Sequence, residues 1–136
     1  PEARARRITI AVEPLRRQET NIVNSVTEGI ELVQAVDDPN FQLMVDFYHF
    51  AEEKEDPKVL ERAKPHIRHL HMANPIKRVF PLRWDEFDYA PFFAKLQELG
   101  QRWRMSVEAS TTDFTAEAPR TIAFLREALG SGPPRR

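Results

Sequence analysis

The sequence predicts an α/β chain folded as part of a (β/α) barrel, with about four strand–helix units. Three observations carry that expectation. Short strand-like runs alternate with helix-like runs four times along 136 residues, the pattern of a parallel sheet with right-handed crossovers. The strand runs are apolar on one face and polar on the other. Each run also ends in a residue able to bind a metal: Glu13, Asp46, His71 and Glu108.

The first run, Ile8 to Glu13, is short and β-branched. A helical pattern follows from about Ile22 to Val36, with Ile22, Val26, Ile30 and Val33 on one stripe. Asp37-Asp38-Pro39-Asn40 is a turn, and Phe41 to Phe47 is the second strand. Asp56-Pro57 opens a short helix, with Asp as N-cap and Pro at the first helical position. Ile67 to Met72 is the third strand, and a Pro-punctuated loop runs from Asn74 to Asp88. Tyr89, Phe92, Phe93, Leu96 and Leu99 mark the third helix, which Gly100 ends. Arg102 to Glu108 is the fourth strand. Ile122, Leu125 and Leu129 mark the last helix, ending near Gly130. Residues 131–136 read as a disordered tail, and the basic opening Arg4-Ala5-Arg6-Arg7 as a solvated lead-in.

Side-chain alternation chooses between two parallel-sheet architectures. Counted back in twos from each strand end, one face carries Thr9, Ala11 and Glu13; Gln42, Met44 and Asp46; Ile67, His69 and His71; Arg104, Ser106 and Glu108. The other carries Ile10, Val12, Leu43, Val45, Leu70, Met105 and Val107. An open doubly wound sheet is apolar on both faces. A polar face suits a barrel lumen that opens onto an active site. Arg68 breaks the pattern on the apolar face. A complete barrel needs eight strands and about 250 residues. The chain is therefore expected to be one domain, residues 1–136, amounting to half a barrel. The other half is missing or comes from a second chain, and a homo-oligomer would cover the open strand edges.

Composition excludes several classes. The net charge is -1, with 41% apolar and 30% charged residues, ordinary for a globular protein and unlike a nucleic-acid or membrane surface. There is no cysteine, so disulfides, thiolate metal sites and cysteine nucleophiles are excluded. No run reaches transmembrane length and no signal peptide is visible, so a cytoplasmic location is expected.

The four strand-end residues each have a mundane explanation taken singly. Glu13 or Asp46 could cap the next helix, and His71 could be a hydrogen-bonded lumen residue. Together they are harder to dismiss. In a parallel sheet all four ends point the same way, with neighbouring strands about 4.8 Å apart. Three carboxylates that close would repel without a cation between them. The donor set suits one divalent ion, Mn²⁺, Mg²⁺ or Co²⁺, and Zn²⁺ less specifically.

Ala11-Val12-Glu13-Pro14, Glu19-Thr20, Asp46-Phe47-Tyr48-His49, His69-Leu70-His71 and Ser106-Val107-Glu108 together resemble the xylose isomerase-like barrel superfamily. More closely, they resemble its D-tagatose 3-epimerase, D-psicose 3-epimerase and hydroxypyruvate isomerase group. The resemblance runs from Ile8 to about Leu129 and matches the C-terminal half of that family.

The resemblance implies a sugar (ketose) isomerase or epimerase. Glu13, Asp46, His71 and Glu108 fall on its metal ligands. Glu13 and Glu108 fall on the pair that exchanges a proton at the substrate carbon through an enediolate. His49, Glu19 and Arg78 fall at or near substrate contacts, while His69 is expected to be structural. The substrate class is a sugar or other hydroxy-carbonyl compound. The chain departs from the family pattern in its loop: position 77 is Lys, the Arg comes one later, and Val79 to Asp85 has no glycine. Gly100-Gln101-Arg102 replaces the usual aromatic-Gly entry to the last strand. Two alternatives stand beside this reading. One is an inactive metal-binding half-barrel. The other is an apurinic-endonuclease-like hydrolase, which would need more histidines and a basic face than this chain has.

Overall fold

The computed structural model describes residues 1–100 and 103–130. Along the chain it forms α1 (Glu2–Ala5), β1 (Ile10–Val12), α2 (Val26–Val36), β2 (Phe41–Asp46), α3 (Phe47–Glu52), α4 (Val59–Ala63), β3 (Ile67–Met72), a 3-10 turn (Trp84–Glu86), α5 (Ala90–Leu99), β4 (Arg104–Val107) and α6 (Phe114–Gly130). The strands make one parallel sheet in the order β1-β2-β3-β4. The α/β partial-barrel expectation holds. The expected tail at 131–136, and Gln101 and Arg102 at the entry to β4, lie outside the described residues.

The core lies between the sheet and the helices. Leu43, Val45, Ile67, Leu70 and Met72 from the strands meet Val26, Ile30, Leu60, Phe93 and Leu96 from the helices. Phe47, Tyr89, Phe92 and Phe124 add a cluster of tilted and edge-on rings. Helix α2 seats very close to the sheet. A Cβ at Gly29 would stand 2.6 Å from Leu43 Cδ1 and 3.0 Å from Pro14 Cγ, so the helix packs directly behind the residue that follows Glu13.

Several boundaries differ from the sequence expectation, each for a local reason. Ile22 is 80% exposed and precedes α2. The Ser25 hydroxyl accepts from the Glu28 amide, and the Glu28 carboxylate accepts from the Asn24 amide, so a cap sets the start and the apolar stripe does not. β1 starts at Ile10, leaving Ile8 and Thr9 outside it. Ile10, placed on the apolar face, is half exposed. The segment opened by Asp56 begins as a turn, the Asp56 carboxylate accepting from the Lys58 amide, and α4 starts at Val59. α6 buries Thr121, Phe124, Leu125 and Ala128, while the expected stripe members Ile122 and Leu129 are exposed. α3 was not expected. Phe47, read as the end of a strand, is its first residue because Asp46 caps it.

Arg68 now has an explanation. Leu43 pairs with Ile67 but Met44 pairs with His69, so Arg68 is the extra residue of a β-bulge. Its side chain turns out to the Pro65 and Ile67 carbonyls. Ile67, expected in the lumen with His69 and His71, instead lies in the core.

The four ligand candidates do not stand at one level of the sheet. Asp46 pairs with His71, and His71 with Ser106, so Glu108 lies two residues beyond. Val12 pairs with Leu43, which leaves Glu13 two residues short of Asp46. The step runs in one direction across the sheet. Tilted, staggered strands of a barrel produce that geometry.

Candidate metal and active site

The four strand ends deliver their side chains to one point. One ligand atom each from Glu13, Asp46, His71 and Glu108 lie within 4.8 Å of one another. His71 Nδ1 is 3.1 Å from Glu13 Oε1 and 3.2 Å from Glu108 Oε2. The cluster grades from buried to open: Asp46 is 2% exposed, Glu13 and His71 are half-buried, and Glu108 is exposed.

Asp46 divides its labour. Oδ1 caps α3 by accepting the Tyr48 amide at 2.8 Å. Oδ2 is buried and accepts no hydrogen bond. Burial pushes its carboxyl up to about 6, against the Tyr48 amide and the Arg78 charge, which pull down. Burial, then the Asp46 charge, raises Glu13 as well.

A second tier surrounds the cluster. His49 is 3% exposed; its Nδ1 accepts the Arg16 amide at 3.2 Å, and its Nε2 has no partner. An accepting Nδ1 leaves the neutral ring's proton on Nε2, and burial lowers the ring's pKa so that the neutral form is favoured. Glu19 binds Arg16 Nε at 2.8 Å and stands 3.7 Å from Arg78 Nη1. Arg78 Nη2 donates to Glu108 at 2.8 Å and lies 3.5 Å from Asp46 Oδ2.

The shifted arginine is brought in by its loop. Lys77 and Arg78 both adopt left-handed backbone, with φ of 67° and 51°. The Asn74 amide donates to the Val79 carbonyl, and Ser110 exchanges bonds with Arg78 and Phe80. This tight turn, pinned beside Glu108, exposes Lys77 and turns Arg78 inward. His69 bonds the Ser106 hydroxyl at 2.8 Å across β3 and β4.

Two residues at this site were not singled out from sequence. Tyr48 carries the guanidinium groups of both Arg78 and Arg16 over its ring, at 4.7 Å and 4.9 Å from the centroid. Arg16 orients His49 through its backbone. Tyr48 follows Asp46 by two, which was a signal to notice. Arg16 acts through its amide, for which a side-chain identity gives no signal.

Residues 1–128 match the profile of the family described as xylose isomerase-like TIM barrel. The chain belongs to that family. A probable ketose 3-epimerase of Synechocystis sp. is 33% identical over 128 residues, covering 90% of this chain and 44% of that protein. The L-ribulose 3-epimerase of Methylomonas sp. is 30% identical over 108 residues, covering 79% of this chain and 37% of the relative. A solved L-ribulose 3-epimerase superposes with a TM-score of 0.85 at 21% identity, over 96% of this chain and 50% of that one. The chain thus spans about half the length of the relatives it matches, so this xylose isomerase-like chain is a partial barrel.

The residues fit a divalent cation. Three carboxylates and an imidazole form a hard-to-intermediate donor set. A buried carboxylate oxygen that accepts no hydrogen bond and has only the Arg78 guanidinium, 3.5 Å away, as a charged neighbour leaves room in its coordination for a cation. Glu13, Asp46, His71 and Glu108 would hold the ion.

Proposed function

We propose that this chain carries the metal and proton-transfer half of a ketose 3-epimerase or a closely related sugar isomerase. The observation that carries the reading is the four-residue cluster within 4.8 Å, with Asp46 Oδ2 buried inside it and accepting no hydrogen bond. The named relatives, all ketose 3-epimerases, support the substrate class.

A divalent ion, Mn²⁺ first among those the donor set suits, would polarise a ketose carbonyl and its neighbouring hydroxyl and so acidify the C–H beside the carbonyl. Glu13 and Glu108 flank His71 from two sides. One takes the proton from carbon, leaving an enediolate, and the other returns a proton to the opposite face. The carbon inverts, and no other bond changes. His49 offers Nε2–H to a substrate hydroxyl. Glu19 and Arg78 form a polar rim, and Tyr48 supports the Arg78 guanidinium.

Half a barrel leaves the lumen open, so turnover belongs to a chain completed by four further units or by a second copy. Metal binding without turnover is the reading for this piece alone. An endonuclease-type hydrolase draws less support, because the cluster contains a single histidine and the net charge is -1. The test is deuterium incorporation from D₂O at the ketose carbon beside the carbonyl, in Mn²⁺ buffer, by the barrel-complete protein. No incorporation with D-psicose, L-ribulose or D-tagatose sinks the proposal.

A further inference from the structure

Helix α3 and its C-cap carry two acceptors one helical turn apart, and both grip the same stretch of backbone. His49 Nδ1 accepts the Arg16 amide at 3.2 Å. Glu53 Oε1 accepts the next amide, that of Arg17, at 2.7 Å, and its Oε2 takes the Arg17 guanidinium at 2.7 Å. The Glu53 amide donates to the His49 carbonyl at 3.0 Å, so the two acceptors share one turn. The Glu53 side chain is only 9% exposed while that of Arg17 is 67% exposed, so the ion pair itself faces solvent and holds little, and the bond to the Arg17 amide is the restraining contact. The gripped backbone is the segment that leaves Glu13.

The grip has a chemical consequence at the imidazole. A ring nitrogen that accepts an amide hydrogen carries no proton, so the Arg16 amide places the neutral ring's proton on Nε2. That nitrogen is the buried, unpartnered one, 3.8 Å from Asp46 Oδ2. The Arg16 amide is fixed in turn because the peptide after it is held by a charge-assisted bond to Glu53.

We infer that Glu53 is a positioning residue for His49. It fixes the Arg16–Arg17 backbone, and that backbone holds the ring in the Nε2–H form that donates into the site. The functional meaning rests on the proposed role of His49 as a substrate contact, but the tautomer is measured without substrate.

The test is the tautomer of His49 in the ¹⁵N-labelled chain, read from two-bond nitrogen–proton correlations of the imidazole. The wild type is expected to show Nε2–H. Glu53→Ala shifts the tautomer ratio about fivefold toward Nδ1–H, the effect of weakening one hydrogen bond. Glu53→Gln, whose amide oxygen still accepts from Arg17, restores the wild-type pattern. Arg17→Ala, which keeps the amide and loses only the ion pair, leaves the pattern unchanged. If Glu53→Ala does not fold, Glu53→Met keeps the stem, lacks the acceptor and takes its place. An unchanged tautomer in the folded variant overturns the inference. An equal shift in Arg17→Ala also overturns it, because the ion pair and not the amide grip would then be responsible. Ketose affinity in His49→Ala is a separate measurement; its failure to fall strikes the substrate role of His49 and leaves the tautomer result standing.

Discussion

Glu13 and Glu108 meet at one nitrogen: His71 Nδ1 lies 3.1 Å from the first and 3.2 Å from the second. These two glutamates come from the outer strands of the sheet, and the histidine between them is shared. One imidazole nitrogen offers at most one hydrogen to the two carboxylates, and Arg78 supplies a second donor only to Glu108. A cation bound among the four side chains would satisfy the remaining acceptors.

Calorimetry should therefore find one Mn²⁺ per chain. Glu13→Ala and Asp46→Asn should each weaken binding by more than about 100-fold, since loss of outer-shell partners alone costs 10- to 100-fold. The asparagine retains an oxygen for the Tyr48 amide, so the α3 cap survives and the loss reports the ligand. Undiminished binding in both variants would mean the cluster is not the site.

Proton exchange depends on the two glutamates as a pair. In the barrel-complete protein, Glu108→Gln should slow deuterium incorporation at the substrate carbon by about 10²- to 10⁴-fold, the usual contribution of an acid–base group. Circular dichroism should show an intact fold, because Glu108 is exposed. Wild-type exchange rates in this variant would remove Glu108 from the chemistry.

Stability should depend on pH through Glu55, which is not one of the four clustered strand-end residues. Its carboxylate accepts the Val26 amide at the start of α2. Burial pushes it from 4.5 up to about 7. The folded state therefore holds this proton more tightly than the unfolded one. The stabilising contribution is full below about pH 4.5 and is lost as pH rises through about 7. Discounted for partial exposure, the change is on the order of 1–2 kcal/mol. Denaturant titrations of Glu55→Gln from pH 4 to 8 should lose this slope relative to wild type; parallel curves would contradict it.

Gly29→Ala sets two magnitudes against each other. Helix propensity alone favours alanine by about 1 kcal/mol. A Cβ 2.6 Å from Leu43 Cδ1 overpacks a full core, at about 1–3 kcal/mol. A net loss of stability is expected. Metal affinity should also fall, because the same Cβ presses on Pro14, the neighbour of Glu13. A more stable variant in urea would show that α2 can back away from the sheet freely.

The sequence made the parallel sheet and the strand-end quartet legible because both depend on short-range regularities. Glu13, Asp46, His71 and Glu108 stand at the ends of runs whose alternation is visible in the letters. What it hid is non-local. The placement of Arg78 depends on a left-handed pair, Lys77 and Arg78, in residues that seldom adopt it. Ile122 and Leu129 look like core positions by spacing. α6 buries Phe124 and Ala128 instead because its rotation is set by Trp84 and Phe93, distant in sequence. The start of α2 was legible after all in Ser25-x-x-Glu28, a capping signal that outranks the apolar stripe.

The bulge at Arg68 separates the length of β3 from its chemistry. Ile67 below it and His69 above it each keep the facing they would have in an uninterrupted strand lacking that residue. Removing Arg68 would restore strict alternation without turning His71 away from the carboxylates or Ile67 out of the core. The strand that supplies the only imidazole of the quartet can thus gain or lose one residue with the site and the core both intact, a tolerance to insertion and deletion located where a single-residue slip would otherwise exchange inside for outside.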